Sequence, residues 1–211
     1  MGTPRSSLGN WYERHVLAWI LDNTMTKVEP LRAELLAPAR GRVLEIGFGT
    51  GANLPHYPAA VTELVAVEPS HGLAAVARER LRAWGRPAEV LEVSGSRPLP
   101  FPDASFDAVV LTFVLCSVKR VPELLAEARR LLRPGAPLFV AEHVLARPPI
   151  QRAVQRAIRP LWKLCLGGCD PARDTRALLQ RAGFTTDQLR DITLGLPWVV
   201  RPGLLGLAYP A

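Results

Sequence analysis

The sequence predicts an α/β chain built on a mostly parallel sheet. Three observations carry this. Short apolar runs of strand length alternate with segments of helical apolar spacing between residues 41 and 146. The first run leads into glycines on every second residue, "VLEIGFGTG", Val43 to Gly51. Polar groups then recur where strands end, at Glu45–Gly51, Glu68, Ser94–Ser96, Thr112–Ser117 and Glu142-His143. Open α/β sheets bind their ligands beyond the carboxyl ends of the strands. The 211 residues, 48% hydrophobic and 21% charged, suffice for one sizeable core and one domain.

Residues 1–40 carry a helical apolar pattern (Val16, Ile20, Val28, Leu31, Leu35) and read as a helical cap. Residues 41–146 form the cofactor-binding core. Val43–Ile46 is the first strand. A helix begins after Gly51 and breaks at Pro55 and Pro58. Leu64–Val67 is the second strand, closed by Glu68-Pro69, and Ser70 caps the helix that follows. Val90–Val93 and Phe106–Leu111 are the third and fourth strands. Val121–Leu132 is a helix with Pro122 in its first turn and Pro134-Gly135 as its stop. Leu138–Ala141 is the fifth strand. Residues 147–183 break the alternation and read as a helical insertion. In it Ile150, Val154, Ile158 and Trp162 line one helix face, Arg152, Arg156, Arg159 and Lys163 line another, and Pro160 is expected to kink or break the helix. Residues 184–211 supply two closing strands.

Composition narrows the function classes. No apolar run approaches the ~18–20 residues of a membrane span, and no charged stretch followed by an apolar one suggests a secretion signal. Three cysteines, Cys116, Cys165 and Cys169, form no C-x-x-C pair, so a reducing cytoplasm is the expected home. The net charge of +7 has two readings, an anionic partner or solvated arginine faces. No basic-aromatic platform for nucleic acid is evident, and none is expected as a partner. The four histidines, at 15, 56, 71 and 143, are scattered, and Cys165-x-x-x-Cys169 lacks zinc spacing, so no metal is expected.

The glycine loop is G-x-G-x-G, matching neither the dinucleotide fingerprint nor the Walker loop. Glu45 beside it repels phosphate and attracts a cation. Glu68, one βαβ unit later, can accept both hydroxyls of a ribose. A ligand with a ribose, a positive centre and no phosphate answers both features, and S-adenosylmethionine is one.

"LEIGFGTG…VEPS…LPFPDASFDAVV…LLRPGAPLFVAEHV" resembles the class I S-adenosylmethionine-dependent methyltransferases over residues 40–145. That resemblance implies a Rossmann-like sheet of seven strands, the last antiparallel, with helices on both faces. "YERHVLAWILD", "NLPHY", "LTFVLCSVK", "EHV", "GGCDPARDT" and "RPGLLGLAYP" are similar to the methyltransferase-like-seven group and its bacterial relatives, which include thiol S-methyltransferases. The resemblance places Glu45, Gly47, Gly49, Gly51 and Asn53 at the aminoacyl end of the cofactor and Glu68 on its ribose. Pro69 flanks the adenine with Ser70, and Thr112 and Phe113 wall the methionine part. Many class I enzymes hold the adenine with an acid after the third strand. Here Ser94-Gly95-Ser96 stands instead, so Gly95 and Ser96 serve through backbone and hydroxyl.

Methyl transfer from a sulfonium is a direct displacement that needs chiefly alignment. His143 is the candidate base and Glu142 its orienting partner or a cofactor-facing acid; a structural hydrogen bond at a strand end is the other reading of His143. Cys116 reads as an inert buried thiol or as a substrate contact. Tyr12, Trp162, Cys169 and Asp170 are further candidate substrate contacts, Asp170 with Arg173 as an ion-pair partner. The expected acceptor is a small apolar thiol, with an amine or hydroxyl of a phospholipid or specialised metabolite as the alternative. The basic helix allows weak contact with a membrane surface, although its apolar face reads more simply as a pocket wall. Monomer and homodimer are both open.

Overall fold

The computed structural model describes residues 7–24, 26–165 and 168–211. The N-terminal cap is a chain of short pieces. Helix α1 (Ser7–Tyr12) passes through a π-helical turn (Glu13–Leu17) into α2 (Ala18–Thr24), and α3 (Glu29–Leu36) follows with Pro30 in its first turn. The core then lays down β1 (Gly41–Ile46), β2 (Val61–Val67), α4 (His71–Trp84), β3 (Ala88–Leu91), β4 (Ala108–Thr112), α5 (Val121–Leu131) and β5 (Leu138–His143). The remainder is α6 (Pro149–Cys165), α7 (Thr175–Arg181), β6 (Phe184–Thr185), β7 (Leu189–Thr193) and β8 (Pro202–Pro210).

The strands form one sheet in the order β3-β2-β1-β4-β5-β8-β6, with β7 also paired to β8. The first five are parallel, and β8 runs antiparallel to β5, β6 and β7. This is the expected sheet, with its sixth strand split into two short pieces. The order reverses between β1 and β4, which makes the crevice beyond their carboxyl ends the topological switch point. Alternation along the strands divides the core between two faces. Leu44, Val65, Val109 and Leu111 pack with Leu124 and Leu125 of α5 on one face. Val43, Leu64, Val110 and Phe139 pack with Leu36 and Leu81 on the other. Each such fully buried side chain is worth roughly 1.5–3 kcal/mol of transfer free energy.

Most local signals operate as read. Ser70 Oγ accepts the Leu73 amide at 3.2 Å and caps α4, and Gly85 closes that helix at φ 72°. Beyond Gly51 the expected helix is a single 3-10 turn, Leu54–His56. Of the kink or break expected at Pro160, the break does not occur: α6 runs through it. Arg156 and Pro160 both lie on the exposed side, so the Arg156 carbonyl that loses its amide partner faces solvent.

Helix α6 also reverses the usual amphipathic order. Gln151 and Gln155 are its buried residues, bonded to the carbonyls of Trp198 and Val199 at 2.6 and 2.7 Å. Three of its large apolar residues point outward, with Ile150 75%, Leu161 66% and Leu164 81% exposed. On the face formed by Ile150, Val154, Ile158 and Trp162, only Ile150 is exposed and the other three are half-buried. Trp162 on that face also reaches the 168–170 loop, its Nε1–H directed at Cys169 Sγ. Among the described residues no helix is long and apolar enough to cross a membrane.

Candidate active site

The glycine loop leaves β1 under tight constraint. Gly47 and Phe48 both donate their amides to the Val67 carbonyl, at 2.8 and 3.1 Å. Gly47 holds φ 77°, and a Cβ there would stand 2.2 Å from Val114 Cγ2, so the position admits glycine alone. Gly49 differs. Its φ is 59°, but nothing lies within 4 Å of where its side chain would begin. The backbone there borders open space, and its amide donates to Glu68 Oε2 at 2.9 Å. Glu68 Oε1 accepts the Ser70 amide at 2.8 Å. These two amides hold the carboxylate beside the open part of the glycine loop. Gly51 turns the loop back through an amide bond to the Phe48 carbonyl, and Pro69 lies exposed on the rim.

Glu45 behaves otherwise than the sequence suggests. Its Oε1 accepts from Asn53 Nδ2 at 2.8 Å and its Oε2 from the Tyr57 hydroxyl at 2.6 Å, both buried. Asn53 in turn accepts Arg32 Nη1 at 2.6 Å and donates to Thr112 Oγ1 at 3.0 Å. Glu45 is thus the floor of a buried network rather than an open receiver for a cation. Arg32 and Tyr57 are the residues that sequence reasoning missed. Tyr57 closes the "NLPHY" motif, while Arg32 carries no local signal at all. Arg32 Nε is buried without a partner among the described residues, and the guanidinium lies 5.4 Å from the centre of the Phe113 ring. Phe113 itself holds φ 57°, a strained value for a non-glycine residue, at the carboxyl end of β4.

Burial is the main influence on Glu45 and raises its pKa to about 7 against the pull of Tyr57, Arg32 and Asn53. The folded chain then holds that proton more tightly than the unfolded chain, where the value is 4.5. The resulting stability is complete below the unfolded value and is lost as pH rises through about 7. At ~1.4 kcal/mol per unit this amounts to roughly 3 kcal/mol. Urea unfolding across that window is expected to show a shallower decline with pH in Glu45→Gln than in the parent chain. Equal slopes would refute the assignment.

After β3, Gly95 is buried against Ile46, and Ser96 Oγ donates to the Arg120 carbonyl at 3.1 Å. That hydroxyl is committed to the chain, and Ser94 Oγ accepts the Ser96 amide at 3.3 Å. The cap closes over the opposite rim. Thr50 Oγ1 donates to Asp22 at 2.6 Å and Ser70 Oγ to Glu13 at 2.6 Å. Tyr12 lies on this cap, 47% exposed, with no described contact to the residues at the end of β5.

At the end of β5, neighbouring residues part. Successive strand residues point to opposite faces. Glu142, fully buried, accepts the amides of Val114 and Leu115 at 2.7 Å each and of Cys116 at 3.3 Å. It fixes the turn after β4 and does not orient His143. Burial raises its pKa to about 7 against His143 and those three amides. His143 Nε2 lies 3.0 Å from Cys169 Sγ, and its Nδ1 is buried without a partner among the described residues. Burial lowers the His143 pKa, but its hydrogen bond to Cys169 and the nearby negative groups bring it out above the usual value. Cys169 also receives Trp162 Nε1–H at 3.4 Å. The Cys116 thiol, His143 and Trp162 all donate toward Cys169, which holds its pKa down, while that of Cys116 is pushed up.

The reactive atoms of Cys116, His143 and Cys169 lie within 4.8 Å of one another. Spacing along the chain concealed this constellation, which corrects the view that the histidines and cysteines are merely scattered. Asp170 is buried and anchors the loop. Its Oδ2 takes Arg159 Nε and Nη2 at 2.8 and 2.5 Å, and its amide donates to the Cys116 carbonyl at 2.9 Å. Arg159, rather than the expected Arg173, is its main partner; Arg173 Nη2 stands 3.8 Å away.

The switch-point crevice therefore has an acid at the glycine loop, an open glycine backbone and a buried guanidinium whose Nε has no partner among the described residues. These fit the ribose, the close approach and the carboxylate of S-adenosylmethionine.

Comparison with known proteins agrees. A family model described as a methyltransferase domain matches residues 44–140. Thiol S-methyltransferase TMT1A of Homo sapiens is 34% identical over 79% of this chain and 69% of its own length. Thiol S-methyltransferase TMT1B of Homo sapiens is 31% identical over 95% and 89%. Phosphatidylethanolamine N-methyltransferase of Cereibacter sphaeroides is 34% identical over 56% and 58%. Among solved structures, a SAM-dependent methyltransferase of Thermotoga maritima superposes with a TM-score of 0.66 at 21% identity, covering 93% of this chain and 97% of that one. The [4+2]-cyclase SpnF superposes at 0.71 with 17% identity, covering 97% and 95%, so the fold alone does not fix the reaction. With sheet, crevice and relatives in agreement, the chain belongs to the class I S-adenosylmethionine-dependent methyltransferases, close to the TMT1 thiol S-methyltransferases.

Proposed function

We propose that this enzyme methylates the sulfur of a small apolar thiol. The observation that carries the reading is the Cys116–His143–Cys169 cluster, two members buried and Cys169 half-buried, at the carboxyl end of β4 and β5. S-adenosylmethionine supplies an electrophilic methyl group when bound. Glu68 holds its ribose, Arg32 its carboxylate, Gly49 lets it approach the main chain, and Thr112 and Phe113 wall its methionine part. The Asn53–Glu45–Tyr57 network keeps Arg32 and Thr112 in place. The cluster is where the acceptor thiol gives up its proton, and alignment in the crevice supplies up to ~7–11 kcal/mol of barrier lowering. TMT1A and TMT1B, similar over most of the chain, support the choice of sulfur.

One observation favours a second reading. The exposed apolar face of α6, beside Arg152, Arg156 and Lys163, suits an anionic lipid surface. That arrangement fits methylation of an aminophospholipid, as the name of the Cereibacter relative says of that protein.

Both readings meet in one experiment. The chain is incubated with methyl-labelled cofactor and either alkyl and aryl thiols or vesicles containing phosphatidylethanolamine. Label is expected in the thioether. In Cys169→Ser and His143→Ala, kcat/KM is expected to fall at least about a hundredfold with adenosylhomocysteine affinity retained. Label confined to the lipid amine would overturn the thiol reading and support the second.

A further inference from the structure

We infer that Cys116, His143 and Cys169 form a zinc site that binds the metal with three protein ligands. Two sulfurs and an imidazole nitrogen are the donor set that zinc selects among common divalent ions. Their reactive atoms already lie within 4.8 Å of one another. Zinc–sulfur and zinc–nitrogen bonds of ~2.3 and ~2.0 Å require tetrahedral edges of about 3.6–3.8 Å. The His143–Cys169 separation of 3.0 Å is the edge that must open, by roughly half an ångström on that geometry.

The surroundings permit that movement. Cys169 follows Gly168, which holds φ 89°, on a loop tied down at Asp170 rather than at the cysteine. The other two ligands are fixed from behind. Glu142 holds the Cys116 amide, and β5 pairs His143 with Gly203 of β8. Trp162 Nε1–H on the Cys169 sulfur is the kind of outer hydrogen bond that orients a metal ligand. The charge also balances, since two thiolates neutralise a divalent ion in a buried site.

Among the described residues no fourth His, Cys, Asp or Glu joins the three. Three protein ligands with a vacant fourth position is the pattern of reactive rather than structural zinc. The vacancy takes the acceptor as a thiolate: a zinc–sulfur bond forms, the S–H bond breaks, and the proton leaves to solvent with no change of oxidation state. That last role rests on the thiol reading above; the metal site itself does not.

The test uses the full chain, expressed with added zinc and purified under reducing conditions without chelators. Elemental analysis is expected to give about one zinc per chain. Cobalt reconstitution is expected to give thiolate-to-cobalt charge-transfer absorption that changes when an alkyl thiol is added. Cys169→Ser and His143→Ala, checked for folding by circular dichroism, are expected to lower zinc affinity more than about a hundredfold. A chain with less than a tenth of an equivalent of zinc and no cobalt charge-transfer band overturns the inference. So does zinc retained undiminished in both variants. Thiol methylation at full rate by metal-free chain overturns the role of the fourth position while leaving both the metal site and the thiol reading intact. Zinc bound at these residues in a chain that methylates only lipid amines upholds the site and removes the role of its fourth position.

Discussion

Glu68→Ala is expected to lower affinity for adenosylhomocysteine at least about a hundredfold, measured by isothermal titration calorimetry. Hydrogen bonds to a charged acceptor contribute ~1.5–3 kcal/mol each, and ~1.4 kcal/mol is a factor of ten in affinity. A carboxylate that takes ribose hydroxyls while accepting the Gly49 and Ser70 amides loses all of these at once. The Gly49 amide, which borders the open part of the loop, is also left without an acceptor, so the loop itself relaxes. Glu68→Gln keeps one accepting oxygen and is expected to lose only about tenfold. Thermal unfolding of each variant separates a lost ligand contact from a damaged fold. Unchanged affinity in the alanine variant would remove Glu68 from the binding machinery.

This position was legible because it follows from local rules. Leu64–Val67 reads as a strand, Ser70 reads as a helix cap, and an acid between them must stand at the sheet's carboxyl edge. Ser70 does cap α4, and Glu68 does stand beside the glycine loop. Two of the three members of the Cys116–His143–Cys169 cluster are legible on the same grounds. Cys116 lies just past β4 and His143 ends β5, and these strands pair, with Thr112 opposite Ala141. Cys169 comes from the insertion, whose placement no periodicity encodes.

Two misreadings have physical causes visible in the sequence afterwards. Glu142 and His143 were taken together although adjacent strand residues must face apart. The ordinary rule of amphipathic packing turns the apolar face of α6 inward, which holds for the half-buried Val154, Ile158 and Trp162 and not for the exposed Ile150. That rule fails where buried glutamines find carbonyls to bind, as Gln151 and Gln155 do. Glu45 shows a subtler limit. Its side chain is where the sequence puts it, beside the glycine turn, but its partners Arg32 and Tyr57 come from outside the motif. A carboxylate's neighbours decide whether it receives a ligand or holds a scaffold.

The largest effect on stability is expected at Glu142. Its two oxygens satisfy three backbone amides, of Val114, Leu115 and Cys116, in a site with no exposed surface. Glu142→Ala leaves all three donors buried and unpaired. At ~1–3 kcal/mol for each orphaned group, and with water able to enter the space vacated, a loss of about 3–5 kcal/mol in urea unfolding is expected. Glu142→Gln retains the Oε1 position that serves Val114 and Leu115, and about 1–2 kcal/mol is expected there. A loss below ~1 kcal/mol in the alanine variant would show that the turn does not depend on this acid. The consequence reaches the cofactor edge through packing. Val114 fills the space that a side chain at Gly47 would occupy, at 2.2 Å from the position of its Cβ. The turn that Glu142 holds is therefore also the support beneath the glycine loop. Adenosylhomocysteine affinity should fall with stability in Glu142→Ala and be largely kept in Glu142→Gln, which distinguishes a scaffold acid from one that touches the cofactor.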